Sequence, residues 1–298
     1  MTFGKGAKGM SGTTSMIHPP REPLKAGSHL LPIHRRTLVM GILNVTPDSF
    51  SDGGRYNRLD RAVSHARRMV EEGADLIDVG GESTRPGHEP VPLEEELERV
   101  IPVIEALVRE VDVPLSVDTY KAEVARQALE AGAHIINDVW GCRRDPEMAR
   151  VAARFDVPIV LMHNRELPTA YDSLLDDICA DLLESVRIAR EAGVKEERII
   201  LDPGIGFGKT YEENLEVMRR LERIVELGYP VLLGTSRKSM IGKTLDLPTD
   251  QRVEGTAATV ALGIAKGCRI VRVHDVREMV RVARMTDAIL YGPEAVRD

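Results

Sequence analysis

The arrangement that decides the fold is first complete between residues 38 and 79. It begins with Leu38-Val-Met-Gly-Ile-Leu-Asn44, an apolar run that ends in a polar residue, and it closes with a second apolar run, Leu76-Ile-Asp-Val79. Between these runs, residues 58–72 carry apolar side chains at helical spacing, and Gly73 follows as a helix-end signal. A strand, a helix and a second strand in this order predict one unit of a parallel α/β fold.

The same alternation continues from Thr37 to Leu290. Lys121–Glu130 and Tyr211–Leu227 show the helical pattern again, and a glycine follows each of them within two residues. About eight apolar runs have the length that is typical of buried parallel strands. The runs lie at Leu38–Leu43, Leu76–Val79, Pro114–Val117, His134–Asp138, Pro158–Met162, Ile199–Asp202, Val231–Gly234 and Ile270–Val273.

Two architectures fit this alternation, an open doubly wound sheet and a closed (β/α)8 TIM barrel. A doubly wound dinucleotide-binding half would place G-x-G-x-x-G after the first strand, where this chain has none. The glycine-rich stretch Gly204-Ile-Gly-Phe-Gly208 comes only after the sixth run. The strand count and this placement favour the α/β class with a single barrel.

Chain length sets the domain organisation. A barrel of this kind takes about 250 residues, so 298 residues leave an extension but no second large domain. We expect an N-terminal extension over residues 1–36 and the barrel over residues 37–298. The part before about Gly27 shows no apolar pattern and is expected to be mobile, and Leu30–Arg36 is expected to lead in across the barrel floor.

Composition excludes several classes of protein. The net charge of −7 is unusual for a nucleic-acid binder, because such proteins usually carry a basic patch. The N-terminus lacks the apolar core of a signal peptide, and no run reaches the roughly 20 apolar residues that span a membrane. Three widely separated cysteines predict neither a zinc site nor disulfides, which fits the cytoplasm.

Polar residues follow the predicted strands at their carboxyl ends. In barrels this rim is where active sites are built, and scattered surface residues would have no reason to prefer it. The residues are Asn44, Asp118, Asn137, His163, Asp202, Lys238 and His274.

Two long loops leave the first two strands. The loops Val45–Asn57 and Ser83–Pro92 contain small and turn-forming residues and are longer than a simple connection needs, so we interpret them as lids over the rim. Asn44 could present its carbonyl oxygen to Mg²⁺. Arg85 is either a phosphate or carboxylate contact or a solvated loop residue. Asp78 and Glu82 receive no role.

Three further groups suggest an anionic, nitrogen-rich ligand. Asp118 and Asn137 lie on consecutive strand ends and, with Asp202, could bind the edge of a flat heterocycle, although each could instead cap the next helix. The segment Ser236-Arg-Lys-Ser239 places two cations after the seventh strand, where barrels often bind anions. Arg272 and His274 are two residues apart and therefore face the same side of the last strand.

The first long loop, Gly80–Gly87, Asp202–Gly208, Ser236–Gly242 and Arg272–Asp275 resemble the signature segments of the dihydropteroate synthase family, in the family's order. The resemblance covers about Thr37 to Leu290. It implies condensation of 6-hydroxymethyl-7,8-dihydropterin pyrophosphate with 4-aminobenzoate, which gives 7,8-dihydropteroate and pyrophosphate in folate biosynthesis. It also implies a transferase that is the sulfonamide target, requires Mg²⁺ and forms a homodimer through helices of the later half.

The resemblance also implies roles for individual residues. The catalytic groups would be Lys238, Arg272, Asp118 and Asp202. The pterin would contact Asp118, Asn137, Asp202, Lys238 and Thr84, with Met162 and Phe207 packed on its ring. Arg272, His274 and Asn44 would hold the pyrophosphate and Mg²⁺. Arg85 and Ser236 would be further substrate contacts, Phe50 and Pro86 would close over 4-aminobenzoate, and Ser239 would meet its carboxylate.

Three other functions remain possible from the residues alone. A pterin-dependent methyltransferase barrel would share the carboxylates and the amide, but it would need a corrinoid partner and would have no use for the pyrophosphate cluster. A non-catalytic pterin-binding paralogue would keep the fold and lose loops or cations. A sugar-phosphate isomerase barrel would need a glutamate base and a histidine electrophile at the rim, and no such pair is evident.

Overall fold

The computed structural model describes residues 22–46, 55–82, 90–166 and 170–297 of the chain. Strands and helices alternate from Leu38 onward. The strands are β1 (Leu24–Ala26), β2 (His29–Leu31), β3 (Leu38–Asn44), β4 (Leu76–Gly80), β5 (Leu115–Asp118), β6 (Ile135–Asp138), β7 (Ile159–Met162), β8 (Ile199–Asp202), β9 (Leu232–Leu233) and β10 (Ile270–Val273). The helices are α1 (Arg55–Glu71), α2 (Leu93–Glu110), α3 (Ala122–Glu130), α4 (Glu147–Phe155), α5 (Leu174–Glu191), α6 (Tyr211–Arg219), α7 (Glu222–Val225), α8 (Ser239–Leu245), α9 (Val253–Ala265) and α10 (Val276–Tyr291).

The eight strands β3 to β10 form one parallel sheet that closes on itself. Their order is β8-β7-β6-β5-β4-β3-β10-β9. A parallel bridge between Leu201 of β8 and Val231, next to β9, joins the two ends. The prediction of a TIM barrel is therefore confirmed, and the open doubly wound sheet is excluded.

Side-chain alternation along the strands divides the core into two apolar clusters. One cluster faces the helices and includes Val39, Ile77, Val117, Leu161 and Val271. The other lies inside the barrel near the amino ends of the strands, and we call its strand residues the barrel floor. The barrel floor consists of Leu38, Met40, Leu76, Ile135, Val160, Ile200, Leu232 and Ile270. The two clusters follow from the two-residue period of a strand, which sends successive side chains to opposite faces.

The hairpin of β1 and β2 covers the barrel floor from below. Leu24 pairs with Leu31 across the hairpin, and Leu24, Ala26 and Leu31 pack in the same cluster as the barrel floor. The expectation that nothing before Gly27 is buried is wrong for Leu24 and Ala26, which are 4% and 0% exposed. A three-residue strand is too short to show a period, so the sequence pattern could not reveal it. Residues 1–21, the rest of the expected mobile segment, lie outside the described residues.

One predicted helix is divided. The sequence pattern predicts a continuous helix over Tyr211–Leu227, whereas the structure has α6 and α7 with a break at Arg220, where φ is −117° and ψ is 29°. Met218, Leu221 and Ile224 are all buried on either side of the break. Their spacing fits an unbroken helix equally well, so the apolar period does not register the break.

None of the helices in the described ranges is long and apolar enough to cross a membrane.

We expect Leu24→Ala to lower the free energy of unfolding by about 2–5 kcal/mol, because it removes buried methyl groups and leaves a cavity under the barrel. Leu30→Ala is the control in the same hairpin, since Leu30 is 67% exposed, and it should change stability by about 0.5 kcal/mol or less. Urea unfolding measures both variants. Equal effects would show that the hairpin does not seal the floor.

Candidate active site

Directly above the barrel floor, the next inward-facing residue of most strands is polar. Each lies two residues beyond a floor residue or its equivalent, toward the carboxyl end of its strand, where the barrel opens into its mouth. These residues are Asp78 on β4, Asp118 on β5, Asn137 on β6, Met162 on β7, Asp202 on β8, Gly234 after β9 and Arg272 on β10. A polar layer therefore lies on the apolar floor. The closed barrel wall and the floor keep its polar side chains close together.

Four of these residues form one network, which we call the Arg272 cluster: Arg272, Asp78, Asp118 and Asn137. The guanidinium donates from Nε to Asp78 Oδ2 at 2.6 Å and from Nη2 to Asp118 Oδ2 at 2.7 Å. Asn137 Nδ2 donates to the same Asp78 oxygen at 3.0 Å. Asp118 and Asn137 are register partners on neighbouring strands, so the predicted pairing of these two strand ends is confirmed.

The Arg272 cluster holds two carboxylates against one cation. Burial raises the pKa of Asp118 to about 7, because desolvation, with repulsion from Asp78, outweighs the attraction of Arg272. Asp78 Oδ1 and Asp118 Oδ1 are buried and have no hydrogen-bond partner among the described residues. An unsatisfied buried acceptor costs roughly 1–3 kcal/mol. A ligand that brings N–H donors into the mouth would recover this free energy.

The capping alternative fails for both Asp118 and Asp202, because the N-cap of α6, the helix after β8, is Thr210. The N-cap of α3 is Lys121, and the Ala122 N–H is bonded by Asp145 Oδ2 at 2.8 Å, so Asp118 does not cap this helix. Asp202 Oδ1 accepts from the Gly204 N–H at 2.7 Å, which fixes the loop after β8.

Asp202 faces the Arg272 side of the mouth across Gly234. Burial raises the pKa of Asp202 to about 6. A Cβ at Gly234 would lie 3.9 Å from Asp202 Oδ2 and 4.0 Å from Arg272 Cβ. The missing side chain therefore leaves the space between the carboxylate and the base of the arginine open to a ligand.

Lys238 and Phe207 form a second group at the mouth. The Lys238 ammonium lies 4.1 Å from the centre of the Phe207 ring, within the range of a cation–π contact. The loop passes close beneath the lysine, since a Cβ at Gly206 would lie only 3.1 Å from Lys238 Cδ. Arg237, the other cation of this segment, instead donates from Nε to Asp275 Oδ2 at 3.0 Å. The structure thus separates two cations that the sequence could not distinguish.

The Ser236 hydroxyl orients His274. Ser236 Oγ accepts the backbone N–H of His274 at 3.1 Å and lies 2.9 Å from the ring nitrogen Nδ1. Both residues follow the ends of neighbouring strands, β9 and β10. The imidazole is therefore fixed to the rim beside the predicted pyrophosphate region.

Asn44 lies at the end of β3, close to the Arg272 cluster. Gly80 is the register partner of both Asn44 and Asp118, and a Cβ there would lie 3.8 Å from Asn44 Oδ1 and 3.5 Å from Asp118 Oδ2. Within the described residues no three His, Cys, Asp or Glu side chains are grouped as metal ligands. An amide oxygen at the rim fits Mg²⁺, which often takes one or two protein ligands and completes its shell with water and substrate phosphates.

The remaining predicted residues divide into two groups. Met162 is buried at the end of β7, and Ser239 is exposed at the start of α8. Phe50, Thr84, Arg85 and Pro86, with most of both long loops, lie outside the described residues.

Asp78 is the residue that sequence reasoning missed. It is 0% exposed and accepts from both Arg272 and Asn137. One signal was present, a carboxylate inside the apolar run Leu76-Ile-Asp-Val79. Because a charge rarely lies in a buried strand without a partner, that position alone predicted a partner, although it could not identify Arg272.

The profile of the pterin binding enzyme family matches residues 40–274. The chain is 61% identical over 268 residues to a dihydropteroate synthase from Clostridium beijerinckii, and the match covers 90% of this chain and 99% of that protein. The chain belongs to the dihydropteroate synthase family. A second member, from Bacillus subtilis, is 64% identical over 255 residues, 86% of this chain and 89% of that protein.

Solved structures of dihydropteroate synthases share the fold. The enzyme from Clostridium difficile, determined in the presence of pteroic acid, aligns with a TM-score of 0.84 at 57% identity over 86% of this chain and 97% of that one. The enzyme from Xanthomonas albilineans with 4-aminobenzoic acid aligns with a TM-score of 0.86 at 46% identity over 90% of this chain and 98% of that one. The family resemblance seen in five sequence segments is thereby confirmed over nearly the whole barrel.

The raised pKa of Asp118 has a consequence for stability. Folding raises this pKa from 3.8 to about 7, so ionisation of Asp118 opposes folding. The stability that the neutral carboxyl contributes is present below about pH 4 and is lost as the pH rises through about 7. Since Asp118→Asn cannot ionise, we expect its free energy of unfolding to fall less than that of the wild type over this range.

Urea unfolding of both proteins between about pH 5 and pH 8 measures the difference. Buried carboxyls away from the Arg272 cluster, such as Asp138 and Asp287, are common to both proteins, so their titration cancels. If the free energies of unfolding of the two proteins changed with pH in parallel, Asp118 would already be ionised in the folded protein at low pH.

Proposed function

We propose that the chain joins 6-hydroxymethyl-7,8-dihydropterin pyrophosphate to 4-aminobenzoate in the mouth of the barrel, with the polar layer as the pterin site. The chain is a transferase of the dihydropteroate synthase family. The observation that carries the location is the pair of buried oxygens, Asp78 Oδ1 and Asp118 Oδ1, which lack partners among the described residues above a closed apolar floor.

The pterin edge matches the polar layer. A pterin presents a 2-amino group and a ring N–H as donors, beside a carbonyl and ring nitrogens as acceptors. We assign the donors to Asp202 and Asp118, and the remaining edge to Asn137 and Lys238. Met162, 4% exposed beside the site, and the half-buried Phe207 would pack on the ring. Thr84 remains a further proposed contact.

The pyrophosphate belongs, in this proposal, to the side of the mouth that carries Arg272, His274 and Ser236. Two N–H groups of Arg272 are donated to Asp78 and Asp118, and the guanidinium has others that can face an anion. Asn44 would contribute an oxygen to Mg²⁺, which would neutralise charge on the leaving group. Arg85 is proposed as an additional cation near the pyrophosphate or the 4-aminobenzoate carboxylate.

The chemistry requires little acid–base assistance from the protein. The C–O bond between the exocyclic pterin carbon and pyrophosphate breaks, and the amine nitrogen of 4-aminobenzoate forms the new C–N bond. The amine is neutral near pH 7 and releases one proton to solvent after attack. Lys238, Arg272, Asp118 and Asp202 therefore act by orienting the pterin and by stabilising charge, which preorganised groups do most effectively away from water.

The second substrate is assigned to the outer part of the mouth. Ser239, exposed at the start of α8, would meet its carboxylate, and Phe50 and Pro86 would close over the ring. In this arrangement the pterin lies against the Arg272 cluster, the amine of 4-aminobenzoate faces the exocyclic pterin carbon, and its carboxylate is nearest the solvent.

We further propose a cytoplasmic homodimer. Cys142, Cys179 and Cys268 are buried and free, which fits a reducing compartment. Large apolar side chains are exposed on the neighbouring helices α9 and α10, namely Leu262, Met285, Ile289, Leu290 and Tyr291, with exposed fractions between 40% and 70%. Such a group of apolar residues favours an interface between copies of the chain.

The direct test of the function is a coupling assay with dihydropterin pyrophosphate, 4-aminobenzoate and Mg²⁺. We expect product formation by the wild type and a roughly 10–100-fold loss of pterin affinity for Asp202→Asn, because an acceptor becomes a donor opposite the pterin N–H groups. Asp287→Asn is the matched control. Asp287 is also a buried carboxyl, but it bonds Thr37 at the amino end of the barrel.

Calorimetry measures the change in pterin affinity and thermal melting measures the change in stability, so a loss of binding can be separated from a loss of folding. A variant Asp202→Asn that binds pterin as the wild type does would make Asp202 a loop-fixing residue only. A wild type without coupling activity would exclude the proposed reaction.

For the dimer, we expect Ile289→Asp to shift the protein to a monomer, since a charge would be buried in an apolar interface. Leu183→Asp is the control, because Leu183 is 45% exposed on α5, and it should leave the mass unchanged. Sedimentation measures both. A wild type that is monomeric at micromolar concentration would contradict the proposal.

A further inference from the structure

Lys209, which follows the loop after β8, is a buried lysine whose ammonium contacts no carboxylate among the described residues. It is 8% exposed. The ammonium lies 2.8 Å from His163 Nδ1 and donates to the carbonyl oxygens of Gly204 and Phe207, each at 3.0 Å. A lysine ammonium has no further donors beyond these three, so the group is saturated by neutral acceptors.

The two carbonyls belong to the two ends of one tight turn. Phe207 N donates to Gly204 O at 3.0 Å, and Lys209 then ties both Gly204 O and Phe207 O to a single ammonium. Gly204 has φ of +66°, and a Cβ there would lie 1.9 Å from the carbonyl oxygen of His163. The turn is therefore restricted to this close packing, and it carries Phe207, whose ring contacts Lys238.

The third acceptor, His163, is held in place from behind. Its Nε2 lies 3.2 Å from Asp181 Oδ2, which also accepts from Arg165 Nε at 2.7 Å. Burial lowers the pKa of His163 to about 4, so the ring is neutral near pH 7. A neutral ring that donates from Nε2 to Asp181 has an acceptor at Nδ1 for the Lys209 ammonium.

Burial of the Lys209 ammonium costs desolvation free energy, which indicates that the lysine does more than fill space. Desolvation lowers the pKa of Lys209 to about 7, and attraction to Asp202 and Glu213 offsets only part of this effect. A buried apolar side chain would avoid the cost of desolvation. It could not, however, bond the two carbonyls of the turn.

We propose that Lys209 is a positioning residue for the pterin site: its ammonium fixes the Gly204–Phe207 turn and so holds the Phe207 ring against Lys238 and beside Asp202. This inference rests on the proposed function, because it takes the ligand over Phe207 to be the pterin. Lys209 itself lies behind the turn and is not assigned a contact with the reacting atoms.

The test compares Lys209→Met with Lys266→Met. Lys266 is half-buried and pairs with Glu222 near the amino end of the barrel, so it controls for removal of a lysine charge. We expect Lys209→Met to raise the Kd of the dihydropterin substrate by roughly ten-fold or more, because three acceptors lose their donor and the turn relaxes. The Michaelis constant for the aromatic amine substrate should change by less than about two-fold, and Lys266→Met should behave as the wild type.

A double-mutant cycle with Phe207→Ala tests whether Lys209 acts through the ring. If it does, Lys209→Met should add little in the Phe207→Ala background, since the residue it positions is already gone. Additive losses would overturn the inference, as would equal losses for both substrates or unchanged pterin binding. If Lys209→Met does not fold, Lys209→Gln keeps an amide that can reach part of the network and should give a smaller loss in the same direction.

Amide exchange gives a readout that does not need activity. The amides of Gly206, bonded to Asn214 Oδ1 at 2.6 Å, and of Phe207 should exchange faster in Lys209→Met than in Lys266→Met. Unchanged exchange would overturn the inference even in an active enzyme. A wild type that neither binds pterin nor couples the substrates would instead reject the proposed function and leave this exchange result to decide the role of Lys209 in the turn.

Discussion

The pleat of eight parallel strands in a closed barrel is the constraint from which the rest of the structure follows. Successive residues must point alternately to the helices and to the barrel interior. Because the barrel is closed, interior side chains can reach solvent only at its two ends. The barrel floor fills the lower part with apolar side chains, and the hairpin of β1 and β2 seals it. Polar residues two positions further along the strands are thereby confined to the mouth.

Confinement explains why the Arg272 cluster can exist. Three ionisable groups share a buried space, a condition that is costly unless they bond one another. Arg272 spans Asp78 and Asp118, and Asn137 supplies a further donor to Asp78. The network still leaves two carboxylate oxygens without partners among the described residues. A rigid barrel can hold these two oxygens in place without hydrogen bonds, and a ligand rich in N–H groups can supply the missing donors.

Around the mouth, one buried and one half-buried lysine stabilise the segments that leave the strands. Lys209 ties the turn after β8 through the carbonyls of Gly204 and Phe207. On the other side of the mouth, Lys121 donates to Glu82 at 2.5 Å, and Tyr120 donates to the same carboxylate at 2.9 Å. Glu82 directly precedes the second long loop, so these bonds anchor the stem of that loop. The barrel therefore provides rigid stems from which the loops at the mouth begin.

The sequence by itself determined the eight barrel strands, the barrel and most residues of the mouth. It could do so because these signals are local. Asp118, Asn137 and Asp202 end buried apolar runs, and Arg272 lies two residues before His274 on one face of the last strand. The break at Arg220 and the buried strand Leu24–Ala26 could not be predicted, because neither produces a recognisable apolar period in the sequence. Only the tertiary structure decided which groups bond. Asp78 and Arg272 are 194 residues apart in the chain, and Lys209 and His163 are 46 apart. Side-chain partners across a barrel depend on closure, register and burial, and no stretch of sequence contains these.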